Sequence, residues 1–490
     1  MRKQHSVQNF IALAKAKKNE LLFSFVIYFV ALCSIGLINY PYIDDAVRRL
    51  DGKANFGLHY SRWGSEFVSW IFQGSSHLTD RGLTPFILSA LILTLASFII
   101  QAALLGEKIN YLSSAASVIV GLNPWFLNAV AYRFDGPLIS LSLLFAVLPF
   151  IWWKAKLNFT VAALISIFLM YNFYQASTGV YLIVALSLMF LEMLEGRAAG
   201  KLLQRVLLTV IPLLAGTFLY LIQLIFLPTT QDNTAEIMRG YFIDDIVTNL
   251  LTYFRTVFSD NAKLWNFLIL LLLFAFVFSM LKQSRILWLK TIGFSVIYLL
   301  VTLVASFGFY LFLEHPISSE APRYNYGFGV WIALVCILSS SSLALKAVDI
   351  VRGAIVAGLT YQIISFVFMF SSMLQIQKES FISSSTLLHT SLISLYQSGD
   401  KVYVADNFLV DSEVFLSACK NYPVLKKIVP SNHDPYFPNR YWFESLTNIP
   451  VDRKNDAELS SIVKDPKNKV SSNESWTIYQ ADKTIVALTK

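Results

Sequence analysis

Runs of about twenty apolar residues recur along this chain with almost no ionisable side chain inside them, and that repetition leaves few folds open. In a bilayer's hydrocarbon core nothing but the chain itself can satisfy backbone N–H and C=O groups, so such runs become spanning helices. They lie near 21–40, 84–105, 110–131, 136–153, 157–175, 178–195, 206–227, 264–281, 286–313, 326–345 and 354–375. The pattern predicts an all-α polytopic membrane protein of about 11 transmembrane helices. Composition excludes an ordinary soluble domain: 56% of residues are hydrophobic and only 14% charged, with a mean hydropathy of +0.57, where about 25% charged is usual.

Lysine and arginine set the expected orientation, because basic residues concentrate in cytoplasmic connections. Arg2, Lys3, Lys15, Lys17 and Lys18 precede the first run, and alternate connections carry Lys108, then Lys154 and Lys156, then Arg197, Lys201 and Arg205, then Lys282 and Arg285, then Lys346 and Arg352. This predicts a cytoplasmic N-terminus and an odd number of spans. The intervening segments 41–83, 228–263 and 313–325, and the tail from 376, are expected on the opposite side. The basic start runs into apolar sequence without a small-residue cleavage site, which reads as a retained anchor. Cys33 and Cys336 fall within apolar runs and Cys419 stands alone in the tail, so no disulfide is expected.

Past 376 the character changes. Lysine plus arginine and aspartate plus glutamate are 13 each there, so the net charge of +8 belongs to the membrane portion 1–375. Alternating or clustered β-branched and aromatic residues at 401–406, 475–480 and 483–488 predict strands. With a helix at 411–420 and a Pro/Asn-rich stretch at 422–440, residues 376–490 are expected to form a small C-terminal α/β domain, placed outside by the orientation above. No phosphate-cradling glycine loop, zinc spacing, short repeat or nucleic-acid signature is present.

Chemistry-bearing residues gather where the runs end. Asp44 and Asp45 follow the first run, with Arg48, Arg49, Arg62, Trp63 and Glu66 shortly after. Two adjacent carboxylates are costly at a membrane edge unless they work or are paired. Residues 60–72 place Trp63, Phe67, Trp70 and Ile71 on one helical face, suited either to a platform for a lipid-linked substrate or to a plain interfacial helix. Asn123-Pro124-Trp125-Phe126 breaks an apolar stretch, and Arg133 with Asp135 ends it, as a cavity wall or as a salt bridge closing a hairpin. Tyr174 and Gln175 end the fifth run. Arg323, beside Pro322, is a fixed cation suited to phosphate. A second acidic pair, Asp244 and Asp245, lies near Glu236, Arg239 and Arg255. Ile243, Ile246, Val247 and Leu250 recur at helical spacing there, which reads as a solvated amphipathic helix rather than a second site.

The order of Tyr42-Ile43-Asp44-Asp45, Tyr60-Ser61-Arg62-Trp63, Asn123-Pro124-Trp125-Phe126, Tyr132-Arg133-Phe134-Asp135, Tyr174-Gln175-Ala176-Ser177 and Ala321-Pro322-Arg323 resembles the membrane glucosyltransferases that modify bacterial O-antigen and are often carried by serotype-converting phages. The resemblance covers roughly 20–375. It implies a GT-C-like glycosyltransferase of the bacterial inner membrane, its outer loops and C-terminal domain periplasmic, with undecaprenyl-phosphate glucose as donor and a sugar of the lipid-linked O-antigen as acceptor. It further implies contact with membrane lipids and with functional partners that make and flip the donor, and no nucleotide sugar.

That substrate class fixes the expected roles. A sugar hydroxyl is a poor nucleophile near neutral pH, so Asp44 or Asp45 is expected to take its proton. The leaving lipid phosphate gains charge, so Arg62, Arg133 and Arg323 are the candidate cations, with Arg62 and Arg323 preferred. Trp63, Asp135 and Gln175 complete the substrate-binding set. Single displacement inverts the anomeric centre. No obligatory metal ion and no other cofactor is expected, because the leaving group is no metal-bridged diphosphate, although paired carboxylates could bind an ion. A flippase for polyprenyl-linked sugars is the competing class. It predicts ionisable residues near the bilayer midplane and internal repeats. A polysaccharide-binding receptor predicts indifference to loss of Asp44 and Asp45.

Overall fold

The computed structural model describes residues 7–230, 242–341, 346–405, 409–433, 438–452 and 456–489. Among them, eight helices are long and apolar enough to cross a membrane: Lys18–Ile38, Thr84–Leu104, Lys156–Phe173, Gln175–Leu194, Ala199–Phe226, Lys263–Gln283, Trp288–Ala305 and Ala347–Leu392. Three further apolar runs are helical but shorter, Tyr111–Leu122, Gly136–Trp152 and Tyr326–Ser339. The run expected at 110–131 is divided as Pro124 predicts. Asn123 leaves the helical region at ψ 152°, its side chain accepts the Phe126 N–H at 3.0 Å, and Pro124 opens the next helix, the pairing of cap and N1 proline that starts helices.

By contacts the chain forms two units. The first comprises Met1–Leu37, Ala54–Ser76 and Arg81–Phe368; the second comprises Ile38–Lys53, His77–Asp80 and Met369–Lys490.

In the first unit apolar helices play two roles. Every residue of Tyr326–Ser339 is buried in protein. Ala199–Phe226 buries only the stripe Arg205, Thr209, Pro212, Gly216 and Tyr220, leaving Ile211, Leu214, Phe218 and Ile225 exposed as a lipid-facing helix would. Without water to drive apolar association, close packing between spans relies on small residues. Gly179 and Gly327 both lie against the Ser306 carbonyl, where a Cβ would sit 2.1 and 2.0 Å from that oxygen. Tyr253 and Ser306 share a hydrogen bond of 2.8 Å. Ser177 is held by Ser142 at 2.5 Å and Tyr326 at 2.6 Å, which fixes the ends of the spans that carry Tyr174 and Gln175. At other helix ends, basic residues of the connections are tied down: Glu192 pairs with Arg197 and Arg205, and Asp349 with Lys282 and Arg352.

The second unit holds a mixed sheet of strands β1 (Lys401–Ala405), β2 (Lys469–Ser472), β3 (Trp476–Ala481) and β4 (Thr484–Thr489), ordered β1-β4-β3-β2. β1 and β4 are parallel, and the β2–β3–β4 pairings are antiparallel. Helices Glu413–Asn421, Asn439–Thr447 and Asp456–Lys464 accompany it. β2 was not anticipated; Lys469-Val470-Ser471-Ser472 is polar and exposed along its length, so hydrophobic alternation gives no signal for an edge strand of this kind. Helix Ala347–Leu392 has 46 residues, about 69 Å at 1.5 Å per residue, more than twice a hydrocarbon core. Its polar second half moors the tail. Gln377 and Asp411 bond at 2.6 Å, Asp411 also accepts from Ser431 and the Asn432 N–H, and Phe381 stacks on Trp442 with ring centres 4.0 Å apart. Cys33, Cys336 and Cys419 are buried and unbonded.

Candidate active site

The expected site residues are divided between the two units. In the first, Pro322–Tyr324 forms a single 3-10 turn that the broken third run holds in place. The Arg323 N–H donates to Asn128 Oδ1 at 3.1 Å, and its Nη1 donates to the Tyr132 hydroxyl at 3.1 Å, with the guanidinium over the Tyr132 and Tyr324 rings. Thus the segments around Asn123 and Tyr132 position Arg323, which the one-dimensional order of the motifs did not reveal.

Arg62 reaches the same place from another element. Its guanidinium carbon lies 4.5 Å from the centre of the Tyr174 ring and 5.0 Å from that of Tyr60. Arg323 and Arg62 both act electrostatically on Tyr174. Two half-buried guanidiniums therefore converge on one tyrosine. Among the described residues the buried Arg62 Nε has no acceptor, an expensive state for a cationic donor unless an anion completes it. Gln175 Nε2 donates to the Tyr220 hydroxyl at 2.9 Å, and that hydroxyl donates to the Ser61 carbonyl, so Gln175 braces the residue preceding Arg62.

Trp63 begins helix Trp63–Gln73, and its ring packs where a Cβ on Gly57 would lie, 2.6 Å away. Glu66 accepts the Gly57 N–H at 3.1 Å. Arg133 is buried, with its guanidinium 5.8 Å from the Phe86 ring centre, in a small recess also lined by Arg81, Gln73 and Ser69. Asp135 is buried just before helix Gly136–Val147. Tyr60, Tyr132 and Tyr324 were not among the expected site residues. The signal that points to them is their position beside the arginines at the ends of apolar runs.

In the second unit, Asp44 precedes the short helix Asp45–Asp51 and its Oδ2 lies 3.2 Å from Arg48 Nη2. Asp45 has no exposed surface, whereas the Asp44 side chain is 29% exposed. Ile43 stands at φ 45°. The left-handed region costs an L-residue about 1–2 kcal/mol, and a β-branched residue there is an outlier of the kind that collects at working sites. The segment is fixed on several sides: Tyr42 donates its hydroxyl to the Ile428 carbonyl at 2.5 Å, Arg49 pairs with Asp80 and Asn39, and the Gly52 carbonyl accepts the Leu78 N–H.

The second acidic pair is unlike the first. Asp244 and Asp245 lie in the first turn of helix Phe242–Asp260, with Asp244 exposed. Residues Glu236 and Arg239 lie outside the described residues, and Arg255 is exposed on the same helix.

Comparison with known proteins places these residues in a family. A protein of Salmonella phage P22, described as an uncharacterized 55.3 kDa protein in the gtrB 5′ region, is 25% identical over 245 residues, 48% of this chain and 49% of that protein. The chain thus spans about half the length of that relative. The model of the family Glucosyl transferase GtrII matches residues 32–334, more than half of the chain and a range that contains Asp44, Asp45, Arg62 and Arg323. By that match, this membrane-helical chain belongs to the GtrII glucosyl transferase family.

Proposed function

We propose that the protein transfers glucose from undecaprenyl-phosphate glucose to a sugar of the lipid-linked O-antigen, on the periplasmic side of a bacterial inner membrane, with inversion at the anomeric carbon. The observation that carries the reading is the convergence of Arg62 and Arg323 on Tyr174 within a glucosyl transferase family match. A phosphodiester donor releases undecaprenyl phosphate, and the leaving phosphate gains one negative charge as its bond to the anomeric carbon breaks. Two preplaced guanidiniums, one with an Nε–H unmet among the described residues, suit that developing charge better than the ground state, which is the condition for lowering the barrier.

Asp44 is the proposed base and Asp45 the positioning residue. A base must touch the incoming hydroxyl, and Asp44 keeps an open face while Asp45 is enclosed. Asp44 takes the acceptor proton as the hydroxyl oxygen attacks the anomeric carbon from the side opposite the phosphate, and the C–O electron pair leaves with the lipid phosphate. A β-linked donor then gives an α-glucoside. Arg133 and Asp135 are assigned to holding the wall that presents Tyr132, and Gln175 and Trp63 to bracing Arg62. No divalent ion enters this scheme.

The test is glucose transfer in membranes supplied with polyprenyl-phosphate glucose and O-antigen acceptor. The expected product is α-linked and is formed without any nucleotide sugar. A β-linked product, or a requirement for nucleotide sugar in flipped-donor vesicles, would overturn the reading.

A further inference from the structure

A groove of about 470 Å³ opens in the second unit, lined by Lys401, Tyr403, Arg440, Tyr441, Glu444 and Asp452 together with Pro450 and Val451. None of these residues carries a role assigned above. Arg440 is 91% buried, being 9% exposed, and its guanidinium sits 4.7 Å from the Tyr441 ring centre. Among the described residues no carboxylate or carbonyl engages that guanidinium, although Glu444 lies one helical turn along on the same helix. Donor and acceptor are therefore offered separately to the groove instead of being spent on each other.

The lining is two cations, two carboxylates and the half-buried ring of Tyr441, Tyr403 being packed in the core with Leu459, Ile462 and Val486. Its charge balances, which disfavours a polyanion or a lipid phosphate. A sugar hydroxyl both donates and accepts, so a carbohydrate site needs donors and acceptors side by side, with a ring face for the sugar's C–H surface. This groove has that set. It also has a mechanical tie to the carboxylate pair, because helix Asn439–Thr447, which carries Arg440, Tyr441 and Glu444, packs on helix Asp45–Asp51 in the same unit. Trp442 of that helix meets Tyr40 edge to face at 5.1 Å.

We propose that this groove is the subsite that binds the neutral oligosaccharide of the acceptor, an inference that rests on the glycosyl-transfer reading above. The site selects the glycan by its hydroxyl pattern and holds it through the helix that also supports the Asp44–Asp45 segment.

The experiment uses the full chain in nanodiscs and, as probe, the acceptor glycan of the transfer assay freed of its lipid, titrated by calorimetry. Wild type binds saturably. Arg440→Ala and Glu444→Gln weaken binding roughly tenfold or more, as expected for losing a charged hydrogen bond, and Asp244→Asn changes nothing. Since Arg440 is mostly buried, the exposed Lys401→Ala is measured beside it and weakens binding several-fold with an unaltered melting temperature. In transfer assays the Arg440, Glu444 and Lys401 variants raise the acceptor KM and leave the donor KM and kcat at saturating acceptor unchanged. Wild-type affinity in the Arg440, Glu444 and Lys401 variants, or no binding by wild type, overturns the subsite. A protein that binds glycan but transfers no glucose overturns the proposed reaction while leaving the groove standing.

Discussion

Asp44–Asp45 and Asp244–Asp245 are the same dipeptide in two settings, each at the start of a helix. The later pair occupies the first turn of an amphipathic helix, Asp244 exposed, where a carboxylate gains about 0.3–1 kcal/mol from the helix dipole and needs no other justification. The earlier pair follows a β-branched residue at φ 45°, one carboxylate is wholly enclosed, and the other is tied to Arg48. What separates them is burial and stored backbone strain. An acidic pair is informative only when the chain holds it where a carboxylate is expensive.

Mutations can break that contrast or sharpen it. Among residues outside the two acidic pairs, Arg323→Ala is expected to have the largest effect, a loss of roughly 10²–10³-fold in kcat, the usual cost of removing one preorganised donor. Arg323→Lys should recover only part of it, because an ammonium cannot keep both the Tyr132 bond and the planar face on Tyr324. Steady-state transfer rates in membranes decide this, and an unchanged kcat in Arg323→Ala would remove the guanidinium from the mechanism. Ile43→Gly relieves the left-handed strain and should leave the melting temperature nearly unchanged while lowering kcat about tenfold, since loosened carboxylates sample unproductive positions. A variant as active as wild type would show that the strain has no part in the reaction. Smallest of all, Asp244→Asn and Asp245→Asn should keep transfer within about twofold and stability within about 1 kcal/mol. A large loss in either would abolish the distinction between the pairs.

The membrane architecture was legible because hydrocarbon leaves so few options. All eleven apolar runs are helical among the described residues, yet only eight helices have the length to span, since Asn123-Pro124 divides one run and two others stop short. Apolar sequence also cannot distinguish a helix facing lipid from one enclosed by protein, as Ala199–Phe226 and Tyr326–Ser339 show. At the site, individual residues were legible by type and by position at run ends. Their grouping was not: the hydrogen bonds from Arg323 to Asn128 and Tyr132 span some 190 residues of sequence, with separations of 195 and 191. The helix carrying Arg440 and Glu444 left no mark of function in the sequence, where Arg440 stands at the end of a Pro/Asn-rich stretch at 422–440.

The central claim is that a carboxylate at the Asp44–Asp45 segment activates the acceptor. It is tested most directly by measuring initial rates of glucose transfer, side by side, for Asp44→Asn, Asp45→Asn, Asp244→Asn and Asp245→Asn at matched expression. The account predicts a fall of roughly 10²–10⁴-fold for Asp44→Asn, a substantial loss for Asp45→Asn, and near wild-type rates for the other two. Near wild-type rates in both Asp44→Asn and Asp45→Asn would contradict it.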